Sequence, residues 1–165
     1  MSLYLTLELL SVAVPLILSF DKKVAFYRHW KTLFPAIITS GLIFISADII
    51  FTEKGVWGFN SRYHSGIILA GIPLEEWLFF IIIPYASIFT HYVIISYFPN
   101  AFLSDRTTHL ITWILVCSLS VLIVIFHNKI YTTFYSAFMI ILLLITLFGR
   151  SRLLNRFYIT WLVIL

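Results

Sequence analysis

The stretch PLEEWLFFIIIPYASIFTHYVIISYF, residues 73–98, decides the fold. After Glu76 no Asp, Glu, Lys or Arg occurs before Asp105, and Ile, Phe, Tyr and Val fill most of the positions between. A helix crosses about 30 Å of hydrocarbon at about 1.5 Å per residue, so roughly 20 predominantly apolar residues suffice. The run therefore predicts a membrane-spanning helix over residues 75–98, kinked at Pro84.

The same reading, carried outward in both directions, gives further spans over 3–20, 33–51, 109–126 and 131–148, each bounded by charge, Pro, Asn or Gly. A sixth run starts at Phe157 and reaches Leu165, enough helix for about half of the hydrocarbon. That length implies either a fragment of a longer chain or a half-span held by neighbouring protein. With 61% hydrophobic and only 11% charged residues, a soluble globular domain is excluded. The expected fold class is an all-α integral membrane helix bundle of five full spans and a partial sixth.

The net charge of +4 sits in short loops and forms no basic stripe, so it argues for membrane topology rather than nucleic acid. With the N-terminus outside, the inner loops carry Lys22, Lys23, Arg28, Lys31, Arg106, Arg150, Arg152 and Arg156. The outer loops then carry only Lys54, Arg62 and Lys129. Lys and Arg concentrate on the cytoplasmic side, which sets this orientation. The N-terminus lacks a signal-peptide pattern, so the first span is expected to be retained. Cys117 is the single cysteine and lies in an apolar run, where it reads as packing.

Phe20-Asp21-Lys22-Lys23 followed by Arg28 has a weak echo in Phe148-Gly149-Arg150-Ser151 followed by Arg156. Any two spans joined by a basic loop look alike in this way. If the echo is an internal repeat, four intervening spans give both copies one orientation, making it a parallel repeat.

Of seven acidic residues, four (Asp48, Glu53, Glu75 and Glu76) fall at or between the ends of the second and third spans. The loop between them, Trp57-Gly58-Phe59-Asn60-Ser61-Arg62-Tyr63-His64-Ser65-Gly66, is aromatic, polar and punctuated by glycine. A loop of membrane-interface anchors explains the aromatics, and a helix start explains Pro73 and the two glutamates. The alternative rests on helical spacing, which sets Glu75 beside Phe79 and Glu76 beside Phe79 and Phe80. Carboxyls against aromatic rings at a membrane boundary suit proton chemistry on an apolar substrate, and two adjacent carboxyls can divide into an acid and an anion. Glu8 is a further ionisable residue within a span, a functional candidate or a partner for a neighbouring helix. His91 and His127 have no second ligand at metal spacing, and no phosphate loop, dinucleotide fingerprint or serine elbow occurs. No metal or cofactor is expected.

In Ser19-Phe20-Asp21-Lys22-Lys23, Asp48 through Thr52, Gly55-Val56-Trp57-Gly58-Phe59-Asn60 with Tyr63 and Gly66, and Pro73-Leu74-Glu75-Glu76 with Phe79-Phe80, the chain resembles the lycopene cyclase domain family. These are small membrane cyclases, heterodimeric in some bacteria and fused to phytoene synthase in fungi. The resemblance covers about residues 3–98 and implies a first domain over 1–100, a connecting span over 101–130 and an incomplete second domain over 131–165. It implies proton-initiated, non-redox cyclisation of the ends of linear carotenes such as lycopene, in a bacterial cytoplasmic membrane. It also implies a second cyclase domain or homologous subunit as partner. By the same resemblance Glu75 is the expected acid and Glu76 its electrostatic partner or the base. Asp48 and Asn60 are expected to position them, and Trp57, Phe59, Tyr63, Phe79 and Phe80 to line the cation site. The competing expectation is a non-catalytic membrane subunit that supports a catalytic partner. A small transporter would need polar residues spread through several spans, which the sequence mostly lacks.

Overall fold

In a computed structural model, which describes residues 2–164, the apolar runs become five helices. They are α1 (Leu3–Leu18), α2 (Trp30–Glu53), α3 (Leu74–Tyr97), α4 (Asp105–Ile125) and α5 (Ile130–Ile164). Among the described residues, four helical segments, Phe26–Glu53, Leu74–Tyr97, Asp105–Ile125 and Ile130–Arg150, are long and apolar enough to cross a membrane. α1, at 16 residues, falls just short of the usual spanning length. It stops at Leu18 because the chain turns, and the Asp21 carboxylate accepts hydrogen bonds from the Lys23 and Val24 amides. A short 3-10 turn, Phe26–His29, then leads into α2.

Burial is inverted relative to a water-soluble protein. Large apolar side chains such as Ile17, Val124 and Phe148 are exposed, whereas Glu8, Ser19, Asp48, Glu75, Thr108, Thr112 and Asn155 are buried. Hydrocarbon is as apolar as leucine, so helices in lipid associate through packing and internal polar contacts, and this pattern marks an integral membrane protein.

Contacts divide the chain into two units, residues 1–96 and 97–165. In the first, Val24, Phe26, Leu33, Ile37, Tyr85 and Phe89 form a core between the start of α2 and the middle of α3. The Tyr85 hydroxyl joins three elements, pairing with Ser19 Oγ at 2.6 Å and accepting from Trp30 Nε1 at 3.2 Å. α2 packs on α3 at Gly41, where an added Cβ would make ordinary van der Waals contact with Phe80 at 3.5 Å, and the Phe44 and Phe80 rings stack beside it.

In the second unit α4 starts on Ser104, whose hydroxyl accepts from the Thr107 amide. α5 is broken at Arg150, where φ is −148° and ψ 60°. Leu143 and Leu147 before the break and Leu154 and Tyr158 after it share one core with Val116 of α4. The Tyr158 hydroxyl pairs with Thr112 Oγ1 at 2.6 Å, and Asn155 Nδ2 donates to Asp105 Oδ1 at 2.6 Å. The basic segment expected as an inner loop, Arg150 to Arg156, is therefore mostly helix. Locally it does not copy the segment after Phe20, where a loop and a 3-10 turn intervene.

A two-residue antiparallel ladder, β1 (Ile68–Leu69) with β2 (Ile72–Pro73), precedes α3. Its turn places Ala70 at φ 50° and Gly71 at φ 81°, the left-handed pair of a type I′ turn. Alanine is a poor occupant of that first position, where asparagine is favoured. Ala70→Asn should stabilise the protein by up to about 1 kcal/mol, and thermal unfolding of the purified protein in detergent checks it; an unchanged or lower midpoint would count against this turn.

Candidate active site

The start of α1, the end of α2 and the start of α3 meet around the loop that joins α2 to α3, and four of the seven acidic residues meet there. Glu75 is 2% exposed. Its Oε1 accepts a hydrogen bond from the Ser2 hydroxyl and another from the Ser65 amide, both at 2.6 Å. Ser2 also caps α1 by accepting from the Leu5 amide. One carboxyl thus fastens the start of α1 and the loop to the start of α3.

Glu76 faces elsewhere. Its carboxyl is hydrogen-bonded to that of Asp48, which projects from the last turns of α2 and is buried. An ionised carboxylate only accepts, so a hydrogen bond between two carboxyls requires a proton on one of them. Glu76 also lines a cavity of about 290 Å³ with Tyr4, Leu7, Glu8, Phe59 and Phe79. Tyr4, Leu7 and Glu8 lie on one face of α1 because they are separated by three and four residues. Leu7 and Phe79 are also about half-exposed at the surface, so the cavity opens between apolar side chains.

The loop is held by its own side chains. Trp57 donates to Thr52 Oγ1 at 3.2 Å and lies edge-on to Phe51. Asn60 Oδ1 accepts from the Arg62 amide, and the Asn60 carbonyl accepts from the Tyr63 amide. Tyr63 stacks on Tyr4 with ring centroids 6.0 Å apart, and its carbonyl accepts from the Tyr4 amide. His64 Nδ1 accepts from the Gly66 amide, and Trp77 Nε1 donates to the Leu69 carbonyl.

The structure therefore brings Asp48, Glu76, Phe59 and Phe79 to one place, with Glu75 and Tyr63 supporting it from behind. Asn60 is exposed and shapes its own turn rather than a carboxyl. Trp57 braces the loop against α2, and Phe80 packs on Phe44. Glu8 joins the cluster although the sequence marked it only as an ionisable residue within a span. What could have ranked it higher is its spacing from Tyr4 and Leu7, which puts a carboxyl on an otherwise apolar and aromatic helix face. Among the described residues no group of three or more His, Cys, Asp or Glu is placed to hold a metal ion.

A family model described as lycopene cyclase matches residues 1–95, more than half of the chain. Neither a curated protein nor a solved structure matches it. Because the matched residues contain α1, α2, the loop and nearly all of α3, the chain belongs to the lycopene cyclase family.

Proposed function

We propose that this chain closes the ends of a linear carotene such as lycopene into rings by proton-initiated, non-redox cyclisation, with Glu76 delivering the proton. The observation that carries this reading is the Glu76–Asp48 hydrogen bond at the wall of an aromatic cavity. The bond holds a proton between two carboxyls, and the cavity receives an apolar end group beside it. The proton adds to the terminal double bond and leaves a tertiary cation. A nearby double bond attacks that cation to form the ring bond, and loss of a proton restores a double bond within the ring. The product is an isomer of the substrate, so no electrons are exchanged.

The rings of Tyr4, Phe59 and Phe79 offer π faces to the passing cation. A cavity near the lower end of the usual range of about 300–1,000 Å³ suits one end of a long polyene, with the remainder left in lipid. Access between Leu7 and Phe79 lets that end arrive from the bilayer. Asp48 holds the Glu76 proton in place, and Glu75 keeps the loop closed over the site. The family resemblance adds a second cyclase domain or homologous subunit as partner, and the basic loops favour an external N-terminus.

The test is conversion of lycopene by membranes containing this chain and a partner domain, carried out in deuterated water. Each ring formed should carry one solvent deuterium at the carbon that received the proton. Rings without deuterium, or an absence of rings, would overturn the proposal. Activity that persists when this chain's cavity is blocked by Leu7→Trp would favour a non-catalytic supporting subunit.

A further inference from the structure

We propose that Glu8 is the base that removes the second proton, completing the ring and returning the site to its starting state. This rests on the cyclase reading above and extends it to a residue outside the glutamate pair of α3. Cyclisation needs two proton transfers at different carbons of the end group. Glu76 stands on α3 at one wall of the cavity, and Glu8 stands on α1 in the same lining. Glu8 is 6% exposed, and among the described residues its Oε2 has no hydrogen-bond partner. A buried carboxyl oxygen left unpartnered is costly and calls for a role. Asp48 is bonded to Glu76, and Glu75, whose Oε2 is likewise unpartnered, is tied by its Oε1 to Ser2 and Ser65 and does not line the cavity, so Glu8 is the carboxyl left to face the substrate beside Glu76.

The balance closes without any outside reagent. Glu76 loses its proton to the terminal double bond, where a carbon–hydrogen bond forms. The ring carbon–carbon bond forms next, and Glu8 takes a proton from a carbon beside the ring cation, whose bonding pair becomes the new double bond. Glu8 is then protonated and Glu76 ionised. The two face one cavity and are close enough to interact electrostatically, so once the product leaves and water enters, the carboxyl protons exchange with solvent and the site returns to Glu76 protonated and Glu8 ionised.

The experiment compares the unsubstituted chain, Glu8→Gln and Glu76→Gln, each with its partner domain in native membranes, on lycopene in deuterated water. Protein level, ring formation and deuterium in the recovered linear carotene are measured. Glu8→Gln should lower ring formation by about 10²-fold or more while deuterium still enters the linear carotene. The first protonation survives in that variant, and the open cation can only give a proton back. Glu76→Gln should yield neither rings nor label. Glu8→Asp keeps a carboxylate and should recover a measurable part of ring formation, which decides the matter if Glu8→Gln fails to accumulate. Wild-type ring formation by Glu8→Gln, or loss of rings and label together at normal protein level, would overturn the assignment to Glu8 and leave the cyclase reading standing. No rings from the unsubstituted pair would overturn both.

Discussion

Glu76→Gln is expected to lower ring formation by about 10²–10⁴-fold, the range for loss of a positioned general acid, with the protein still present in the membrane at its normal level. The amide keeps the size of the side chain and can still donate a hydrogen bond to Asp48, so the cavity wall should survive. What the amide cannot supply is an acidic proton. Glu75→Gln should behave differently, because the amide oxygen can accept the same two hydrogen bonds from Ser2 and Ser65 that the carboxylate accepts now. Most turnover should remain. Glu75→Ala should lose both bonds and loosen the loop, costing about 1–3 kcal/mol for the stranded Ser65 amide and Ser2 hydroxyl. Pigment extracted from lycopene-producing cells that also express the partner domain gives the readout. Loss of rings in Glu75→Gln with normal rings in Glu76→Gln would return the acid to Glu75, as the family-like motif alone first implies.

The choice between Glu75 and Glu76 marks where the sequence stops being informative. Helical spacing gives Glu75 and Glu76 similar aromatic neighbours on α3, so it cannot say which carboxyl faces the cavity. The difference comes from Ser2 and Ser65, which lie 73 and 10 residues from Glu75 along the chain and reach it only in three dimensions. Hydropathy did reveal the long helices, because an uninterrupted apolar run has few alternatives in lipid. It misplaced the segment from Arg150 to Arg156. Charge suggested a loop there, but Arg152 and Arg156 are exposed while Leu154, Asn155 and Tyr158 are buried, so the charges decorate one side of a helix. The β1–β2 ladder was also invisible, since two residues per strand are too few for an alternating pattern. Asn60 looked like a positioning residue by its company in the motif. Its side chain instead satisfies the backbone two residues on, the common use of asparagine in turns.

The largest stability effect should come from Phe26→Ala. Phe26 is 2% exposed and follows Ala25, whose backbone is left-handed at φ 46° and swings the chain back toward the helices. Its ring meets Tyr85, Phe89 and Tyr92 of α3 at centroid distances of 5.7, 5.5 and 5.3 Å. Truncating a buried phenylalanine typically costs about 3–5 kcal/mol, and aromatic pairs add to packing when their rings meet edge to face. In lipid the transfer contribution shrinks, because the bilayer also accepts a phenyl ring, so the loss measures packing. Phe148→Ala supplies the contrast, as that ring is 75% exposed and trades one apolar surroundings for another. In mild detergent Phe26→Ala should lower the unfolding midpoint by on the order of 10 °C, with Phe148→Ala close to the unsubstituted protein. Equal shifts in the two variants would mean that the Phe26 core contributes no more than contact with lipid. A selective loss has a further consequence for function: the core lies at the Ser19 end of α1, whereas Ser2 and Glu8 lie at the other. α2 and α3 contribute to both the core and the carboxyl cluster, and α1 runs from one to the other, so loosening one end should weaken ring formation without removing any group that handles the proton.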